Sequence, residues 1–336
     1  MKHRAKKEQK KVAIERLPTG VPGLDEILGG GLPEYSFNII AGAPGSGKTT
    51  LAHQIMFANA TPKRPALYFT VFGESAIKML RYQQQFTFFD DAKLGGAIRF
   101  INLSQVVMEG DLGAVLGSII KEVETAKAGL VVVDSFRTVV RKALHSATEL
   151  ELQSFVQRLA LNLTSWQATT FLIGEYVEAE LRDNPVFTVA DGLLWLSQCV
   201  ERNSIVRKMQ IMKLRGQEPV PGLHTFRITG GGLQTFPRTF GLTGNPSDHV
   251  KGRRRLSTGI RELDGLMGGG IPEGDSLLVA APSGAGKTVL GIQFIAEGLK
   301  RGEPGIVAMF EELPNEYLHR AASFGFSSAS TSRMAR

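Results

Sequence analysis

Residues 37–50 read FNIIAGAPGSGKTT, an apolar run followed by a glycine-rich loop and the start of a helical pattern. Residues 42–49 match GxxxxGK[ST], in which glycines let successive backbone N–H groups turn toward a phosphate. Lys48 supplies a positive charge for the β- and γ-phosphates, and the Thr49 hydroxyl suits Mg²⁺. The following helix adds its N-terminal dipole. The segment therefore predicts a nucleotide site between a strand and a helix.

A second part of such a site is LVVVD at residues 130–134. An apolar strand that ends in Asp places a carboxylate at the edge of the sheet where α/β proteins bind ligands. An isolated Asp in this position is more often a helix cap, but the upstream loop favours Asp134 as a Mg²⁺ ligand acting through water. Glu74 follows the predicted strand that comes directly after the glycine-rich loop and its helix, and it is a candidate to orient or deprotonate water. A solvated loop carboxylate is the alternative for Glu74.

Short apolar runs alternate with helical patterns through the first 175 or so residues. This alternation predicts an α/β fold, a mainly parallel sheet with helices on both faces. The predicted strands are 37–41, 66–71, 97–102, 130–134 and 170–174, and the predicted helices are 49–58, 76–85, 111–126 and 149–166. Segments 192–198, 205–213 and 223–228 are expected to add antiparallel strands at one edge.

The chain contains an internal repeat. Residues 17–56 recur at 256–295 without a gap, and about 17 of 40 positions are identical, which indicates a tandem duplication. The counterparts of Asp134 and Lys213 would fall beyond residue 336, so we expect an incomplete second copy, truncated relative to a two-copy parent. Such a copy should fold poorly alone or dock on the first. The expected organisation is a basic disordered tail (1–13), a first domain (14–238), a linker (239–254), the second copy (255–326) and a disordered tail (327–336).

Composition excludes several classes of protein. With 336 residues, 43% of them hydrophobic and 21% charged, the chain is typical of a globular protein. The single cysteine, Cys199, excludes a disulfide framework or a cysteine-based zinc site. No apolar run approaches the roughly 18 residues of a membrane span, and no signal segment is visible. We expect a cytoplasmic protein that does not associate with a membrane.

The net charge of +7 is concentrated in two segments. Residues 1–11 carry about +5 and residues 251–255 about +4, which leaves about −2 for the rest. The predicted domains therefore have no basic surface excess, and a nucleic-acid partner is not expected.

Three features together resemble the KaiC-type proteins, which are ATPases of the RecA superfamily related to RadA. They are TGxxxLDxxxGGGxP before each glycine-rich loop, strands that end in FGES or FEEL, and the VVVDS strand. The resemblance covers nearly all of residues 14–326. It implies a RecA-like fold, ATP and Mg²⁺ as ligands, and a ring-like homo-oligomer, a hexamer in the family, that binds ATP between subunits. It also implies Ser/Thr autokinase activity, which we expect only of a full-length parent.

In the first copy the resemblance assigns phosphate binding to Gly42, Gly45, Ser46, Gly47, Lys48, Thr49 and Thr50. The family's two adjacent glutamates read Gly73-Glu74 here, so the second carboxylate is kept and the first is lost. The family's KLRG motif is present as Lys213, Leu214, Arg215 and Gly216. Its basic residues reach the γ-phosphate bound to the next subunit, and such a contact makes activity depend on assembly.

In the second copy the glycine-rich loop begins with Ala281 where the first copy has Gly42. By resemblance, Thr288 and Glu311 are metal ligands and Glu312 is catalytic. Phe324 occupies a position near the adenine in the family, although a packing role is an alternative. The expected phosphate-binding residues are Gly284, Ala285, Gly286, Lys287, Thr288 and Val289.

The favoured function is thus a KaiC-like ATPase that acts as a circadian-type or signalling switch and has regulatory protein partners. One alternative is a DNA-dependent ATPase of the RecA or RadA kind, against which the charge distribution argues. The other is an ATP-dependent regulatory scaffold with little turnover, which the Gly73 substitution favours.

Overall fold

The computed structural model describes residues 14–71, 76–109, 111–144, 149–181, 184–238, 254–310 and 312–325. The chain divides into two compact units, Met1–Thr243 and Gly244–Arg336. The predicted tails and residues 239–253 of the predicted linker lie outside the described residues. Among the helices of the described part, none is both long enough and apolar enough to cross a membrane.

The first unit is built on a nine-stranded sheet with helices packed on both faces. Its strands are β1 (Arg16–Leu17), β2 (Leu32–Pro33), β3 (Phe37–Gly42), β4 (Ala66–Thr70), β5 (Ile98–Asn102), β6 (Leu130–Asp134), β7 (Thr169–Glu175), β8 (Gly192–Glu201), β9 (Ser204–Leu214), β10 (His224–Thr229) and β11 (Gly232–Phe236). Its α-helices are α1 (Leu24–Leu28), α2 (Lys48–Asn59), α3 (Ala76–Gln83), α4 (Ser104–Glu109), α5 (Leu112–Ala126), α6 (Phe136–Leu144), α7 (Glu149–Ser165) and α8 (Pro185–Val189). The strands β1 and β2 form a separate two-stranded antiparallel sheet, with α1 between them in the chain.

The strand order of the sheet is β11-β10-β9-β8-β3-β7-β6-β4-β5. The strands from β8 to β5 run parallel, and β9, β10 and β11 continue the sheet in antiparallel fashion. The strand β3, which leads into the glycine-rich loop, is therefore central, between β7 and β8. This position holds the loop at the carboxyl edge of the parallel strands, where such sheets bind ligands.

Alternation along the central strands fills both faces of the sheet. Ile39 packs with the cluster under α5 and α7, and Ile40 packs with the cluster under α1 and α2; both are fully buried. Burial of each such side chain contributes about 1.5–3 kcal/mol, so the sheet is held firmly by its two helical layers. Strands buried on both faces read as continuous apolar runs, which is why the sequence showed them clearly.

The predicted α/β fold is confirmed, and the five predicted parallel strands agree with the structure to within one residue at each end. The antiparallel edge is also confirmed for 205–213 and 223–228. The expectation for 192–198 was wrong in one respect, because β8 pairs parallel with β3 and antiparallel only with β9. The connection through α8 carries the chain across β3, which makes β8 the last parallel strand.

The second unit repeats the small elements of the first. Its described elements are β12 (Arg255–Leu256), α9 (Arg261–Leu266), β13 (Ile271–Pro272), α10 (Lys287–Lys300) and α11 (Pro314–Ser323). The strands β12 and β13 pair as β1 and β2 do. Within 254–310 and 312–325, however, the apolar segments 276–281 and 304–310 form no strand.

Candidate functional site

The glycine-rich loop between β3 and α2 has the shape of a phosphate cradle. Gly47, the residue before α2, has a left-handed backbone (φ 99°), which turns the loop into the helix. At Gly42 a side chain would collide with the carbonyl oxygen of Leu196, only 1.9 Å from an added Cβ. The close approach of β8 therefore requires glycine at the start of the loop. The N-terminus of α2 opens toward the space enclosed by the loop, where an anion is favoured.

Lys48 lies across its own loop. Its Nζ donates a hydrogen bond of 2.8 Å to the carbonyl oxygen of Ala43, and the residue is buried. Burial lowers the pKa of Lys48, whereas the nearby carboxylates of Glu175 and Asp134 act to raise it. A bound phosphate would supply the negative charge that this partly desolvated ammonium lacks.

Asp134 and Thr49 are brought together, as the sequence predicted for a metal site. The Thr49 hydroxyl donates to Asp134 Oδ2 at 2.8 Å, and the Tyr68 hydroxyl donates to the same oxygen at 2.7 Å. Burial raises the pKa of the Asp134 carboxyl, and hydrogen bonds from Tyr68 and Thr49 act in the opposite direction. Burial and the Asp134 carboxylate together raise the pKa of Tyr68.

The donor set fits Mg²⁺, which prefers carboxylate, hydroxyl, water and phosphate oxygens. The proton of Thr49 points to Asp134, so the lone pairs of its hydroxyl remain available for a cation. In the described part of the chain, no group of three or more His, Cys, Asp or Glu side chains could hold a metal by itself.

These groups line an open cleft of about 300 Å³ at the carboxyl edge of the sheet. Its walls are Gly45, Gly47, Lys48, Thr49, Thr50, Asp134, Ser135, Ile173, Gly174, Glu175 and Ile228. The predicted Ser46 is buried inside the loop. A second cleft of about 280 Å³ adjoins the first at Ser135 and Glu175.

The contributors that sequence reasoning missed include Glu175, Tyr68 and Ile228. Glu175 directly follows the predicted strand 170–174, so the rule that placed Asp134 at a strand end could have found it. Tyr68 and Ile228 carried no signal. Tyr68 read as one more apolar strand residue, and Ile228 reaches the cleft only because β10 lies against the loop, close to Gly47.

The predicted basic pair lies elsewhere. On β9, Lys213 is level with Leu193 of β8, and Leu193 is level with Ile39, near the start of β3. Three strand positions, roughly 10 Å, separate this level from Gly42, and the loop extends further still. The two basic residues of the pair therefore lie at the amino edge of the parallel strands, away from the cleft of their own unit.

Both cations of this pair are held locally. Lys213 Nζ donates to the carbonyl oxygens of Phe187 and Thr188, at 3.3 and 3.0 Å. Arg215 forms an ion pair of 2.9 Å with Asp191 and remains largely exposed, and Leu214 pairs with Gly192. Burial, followed by the charge of Arg215, lowers the pKa of Lys213. Glu74, the predicted catalytic carboxylate, lies outside the described residues.

The second unit keeps the loop but exposes it. Gly286 has the same left-handed backbone as Gly47 (φ 91°), and Lys287 Nζ donates to the carbonyl oxygens of Ala281 and Pro282. Thr288 and Val289 are the second and third residues of α10, as Thr49 and Thr50 are of α2. The predicted loop residues Gly284 and Ala285 are exposed.

Of the other predicted residues of the second unit, Glu312 and Phe324 are described. Glu312 is ion-paired with Arg320 at 2.7 Å, and Glu311 lies outside the described residues. Phe324 follows α11 and is half exposed. The structure thus forms a cleft around the first loop, and in the second unit it shows the turn of the second loop.

Comparisons with known proteins agree with this geometry. A family model described as "ATPase: KaiC" matches residues 17–239 and again residues 256–333. The circadian clock oscillator protein KaiC 1 of Synechocystis sp. is 31% identical over 93% of this chain and 61% of its own length. The KaiC proteins of a Picosynechococcus sp. and of Rippkaea orientalis are each 29% identical and are covered over 61% and 62% of their length. The chain thus spans about three fifths of the length of these relatives.

Proposed function

The chain belongs to the KaiC family of ATPases, and on that premise we propose that its first unit binds MgATP and hydrolyses it slowly to ADP and phosphate, as a molecular switch. The observation that carries the proposal is the cleft in which the loop, Lys48 and the Thr49–Asp134 pair face the same space. A glycine turn with a purely structural role would not require a buried lysine and a half-buried carboxylate at its mouth.

Each described residue has a role in this proposal. The backbone N–H groups of the loop bind the β-phosphate, and Lys48 exchanges the Ala43 carbonyl for phosphate oxygens. Thr49 and, through water, Asp134 would hold Mg²⁺, which would neutralise charge that develops on the β- and γ-phosphates. Glu175 lies close enough to Lys48 to raise its pKa and helps to keep it protonated.

Hydrolysis needs a group that orients water toward the γ-phosphorus. We assign this role to Glu74, which would take the proton of the attacking water as the bond from the γ-phosphorus to the bridging oxygen breaks. Glycine at position 73 removes a neighbouring carboxylate that the family resemblance leads one to expect. The proposal therefore includes a low turnover rate.

The location of the basic pair supports action between subunits. Lys213 and Arg215 lie at the edge of the sheet opposite their own cleft, and Arg215 is exposed. In a homo-oligomer that joins these two edges, the pair would approach the γ-phosphate of the next subunit and stabilise charge in the transition state. We propose a ring of this kind.

For the second unit we propose weaker nucleotide binding. Within its described residues, no carboxylate is hydrogen-bonded to Thr288 as Asp134 is to Thr49. The relatives are named circadian clock oscillator proteins, and a timing role for this chain is part of the proposal. Autokinase activity is not.

The test is size-exclusion chromatography with light scattering, with and without MgATP, with phosphate release measured on the same fractions. We expect ATP-dependent growth to a ring-sized particle that hydrolyses ATP, and loss of hydrolysis with retained assembly in Glu74→Gln. A monomer that binds ATP but releases no phosphate would contradict the proposal and leave a nucleotide-binding module.

Action between subunits has its own test. Lys48→Ala subunits keep the basic pair but lose the phosphate contact, and a Lys213→Ala/Arg215→Ala double variant does the reverse. Each alone should be inactive, whereas a mixture should regain part of the activity, since some interfaces combine an intact cleft with an intact pair. Mixtures that remain as inactive as the separate variants would exclude the trans contact.

The low-turnover scaffold remains the second candidate, because Gly73 removes one carboxylate. It predicts ATP-dependent assembly without phosphate release, which the same fractions would show. Measurable hydrolysis that Glu74→Gln abolishes would reject it.

A further inference from the structure

Tyr68, in the middle of β4, makes a side-chain contact with a residue that lines the cleft. It is fully buried on β4 and lies opposite Val132 of β6, two positions before Asp134. Alternate residues of a strand share a face, so Tyr68 and Asp134 lie on the same side of the sheet, the side packed by α2. The Tyr68 hydroxyl donates to Asp134 Oδ2 at 2.7 Å.

The ring of Tyr68 is held in place by its aromatic neighbours. The ring of His53, from α2, lies 4.5 Å from it, and the ring of Phe100, from β5, lies 5.3 Å from it, measured between centroids. All three side chains are fixed by the helix or strand that carries them. The hydroxyl therefore approaches Asp134 from a fixed direction.

Two hydroxyls converge on one oxygen of the carboxylate. Thr49 donates to Asp134 Oδ2 at 2.8 Å, and Tyr68 donates to the same atom. Together they hold the plane of a carboxylate that also lines the nucleotide cleft. Partners that orient a metal ligand in this way typically change metal affinity 10- to 100-fold when they are removed.

We propose that Tyr68 is a positioning residue for the magnesium site, a role that rests on the proposed function of the cleft. Its hydroxyl fixes Asp134 through Oδ2, so that the carboxylate faces the Mg²⁺–nucleotide complex in a single orientation. Tyr68 itself touches neither nucleotide nor metal. Its removal should therefore weaken the magnesium-dependent part of nucleotide binding and leave the magnesium-free part unchanged.

The experiment titrates ADP by isothermal calorimetry into the full chain, once in EDTA and once in Mg²⁺. Tyr68→Phe keeps the ring contacts with His53 and Phe100 but loses the hydroxyl. We expect its ADP affinity in Mg²⁺ to fall about 10-fold and its affinity in EDTA to stay within about 2-fold of the wild type. Tyr82→Phe, the same change at an exposed ring, is the matched control and should behave as the wild type.

Calorimetry also reports stoichiometry, so a partly unfolded variant would show fewer sites rather than weaker ones. Tyr68→Met removes the hydroxyl while keeping an apolar side chain, and it should reproduce the effect if Tyr68→Phe does not fold. Equal magnesium dependence in variant and wild type would overturn the positioning role. So would an equal loss in EDTA and Mg²⁺, which indicates a structural role alone. A wild type that binds no ADP would instead overturn the proposed function itself.

Discussion

The two units share a repeated sequence pattern, and the contacts between residues close in sequence form in both of them. In the first unit Thr19 donates to Asp25 Oδ1 through its hydroxyl at 2.6 Å and through its backbone N–H at 2.9 Å. In the second unit Thr258 makes the same two bonds to Asp264, at 2.6 and 2.8 Å. The small two-stranded sheets of the two units also correspond to each other, as do the turns that lead into α2 and α10. Contacts within about 15 residues are therefore reproduced in both copies.

The strands of the large sheet are not reproduced among the described residues of the second unit. The apolar residues of β3 are buried between β7 and β8, whereas in the corresponding segment of the second unit Leu278 is 89% exposed. Phe310, in the apolar segment before α11, is 95% exposed. A strand needs partners from distant parts of the chain, and the first unit supplies them from residues 130–134 and 169–201. An apolar run is thus not sufficient for a strand, which forms only where its neighbours are present.

Hydrogen exchange tests most directly whether the strands of the first unit are formed and the corresponding segments of the second unit are not. We expect the amides of β3 and β4 to exchange near the global unfolding limit, roughly 10³-fold or more slower than unprotected amides. Amides of 277–280 and 306–309 should exchange within about 10-fold of the unprotected rate, because no ladder protects them. Mass spectrometry of peptides from both copies measures this, and equal protection in the two copies would contradict the difference.

Substitution of the two loop lysines tests whether the difference extends to binding. Lys48→Ala should lower the affinity for MgATP about 100-fold, since it removes a buried cation from a formed cleft. Lys287→Ala should change the main binding event less than 2-fold, because its loop is exposed. Titration with a fluorescent ATP analogue checks both, with Lys121→Ala on the surface of α5 as control. A larger loss from Lys287→Ala would place the principal site in the second unit.

The smallest expected effect concerns one position at which the copies differ. His53 of α2 is fully buried, and burial lowers its pKa to about 4, whereas α10 has Ile292 at the equivalent position. Since its folded-state pKa lies below the ordinary 6.5, neutral His53 is favoured in the fold. The stability of the first unit is therefore full above pH 6.5 and is lost as the pH falls toward 4. At pH 5 the loss is about 2 kcal/mol.

His53→Ile transfers the residue of the second copy into the first and should remove this pH dependence. Urea unfolding at pH 7.5 and pH 5, followed by tryptophan fluorescence, measures it, because both tryptophans of the chain, Trp166 and Trp195, lie in the first unit. The exposed His319→Ala serves as control. If wild type and His53→Ile lose equal stability between the two pH values, the buried histidine is not responsible.

The sequence predicted those parts of the molecule that local chemistry determines. The loop, Lys48 and Asp134, which line one cleft in the structure, were predicted because each combines a residue type with a strand or helix boundary. Tyr68 was missed because its contact with Asp134 depends on strand register, which no local pattern records. For the same reason the parallel pairing of β8 and the strand β11 were not predicted. The location of Lys213 relative to its own cleft likewise follows from the order of strands.

The cleft and the pair Lys213 and Arg215 lie at opposite edges of the sheet, so the two ends of the first unit are different. A surface that joins one edge of a subunit to the opposite edge of the next is heterologous, and it repeats until rotation closes it. In such an assembly each subunit receives its cations from one side and donates its own to the other. A lesion in the basic pair would spare the subunit that carries it and silence the following one. In a ring that mixes mutant and wild-type chains, each mutant subunit would therefore inactivate the cleft of one neighbour, always the neighbour on the same side.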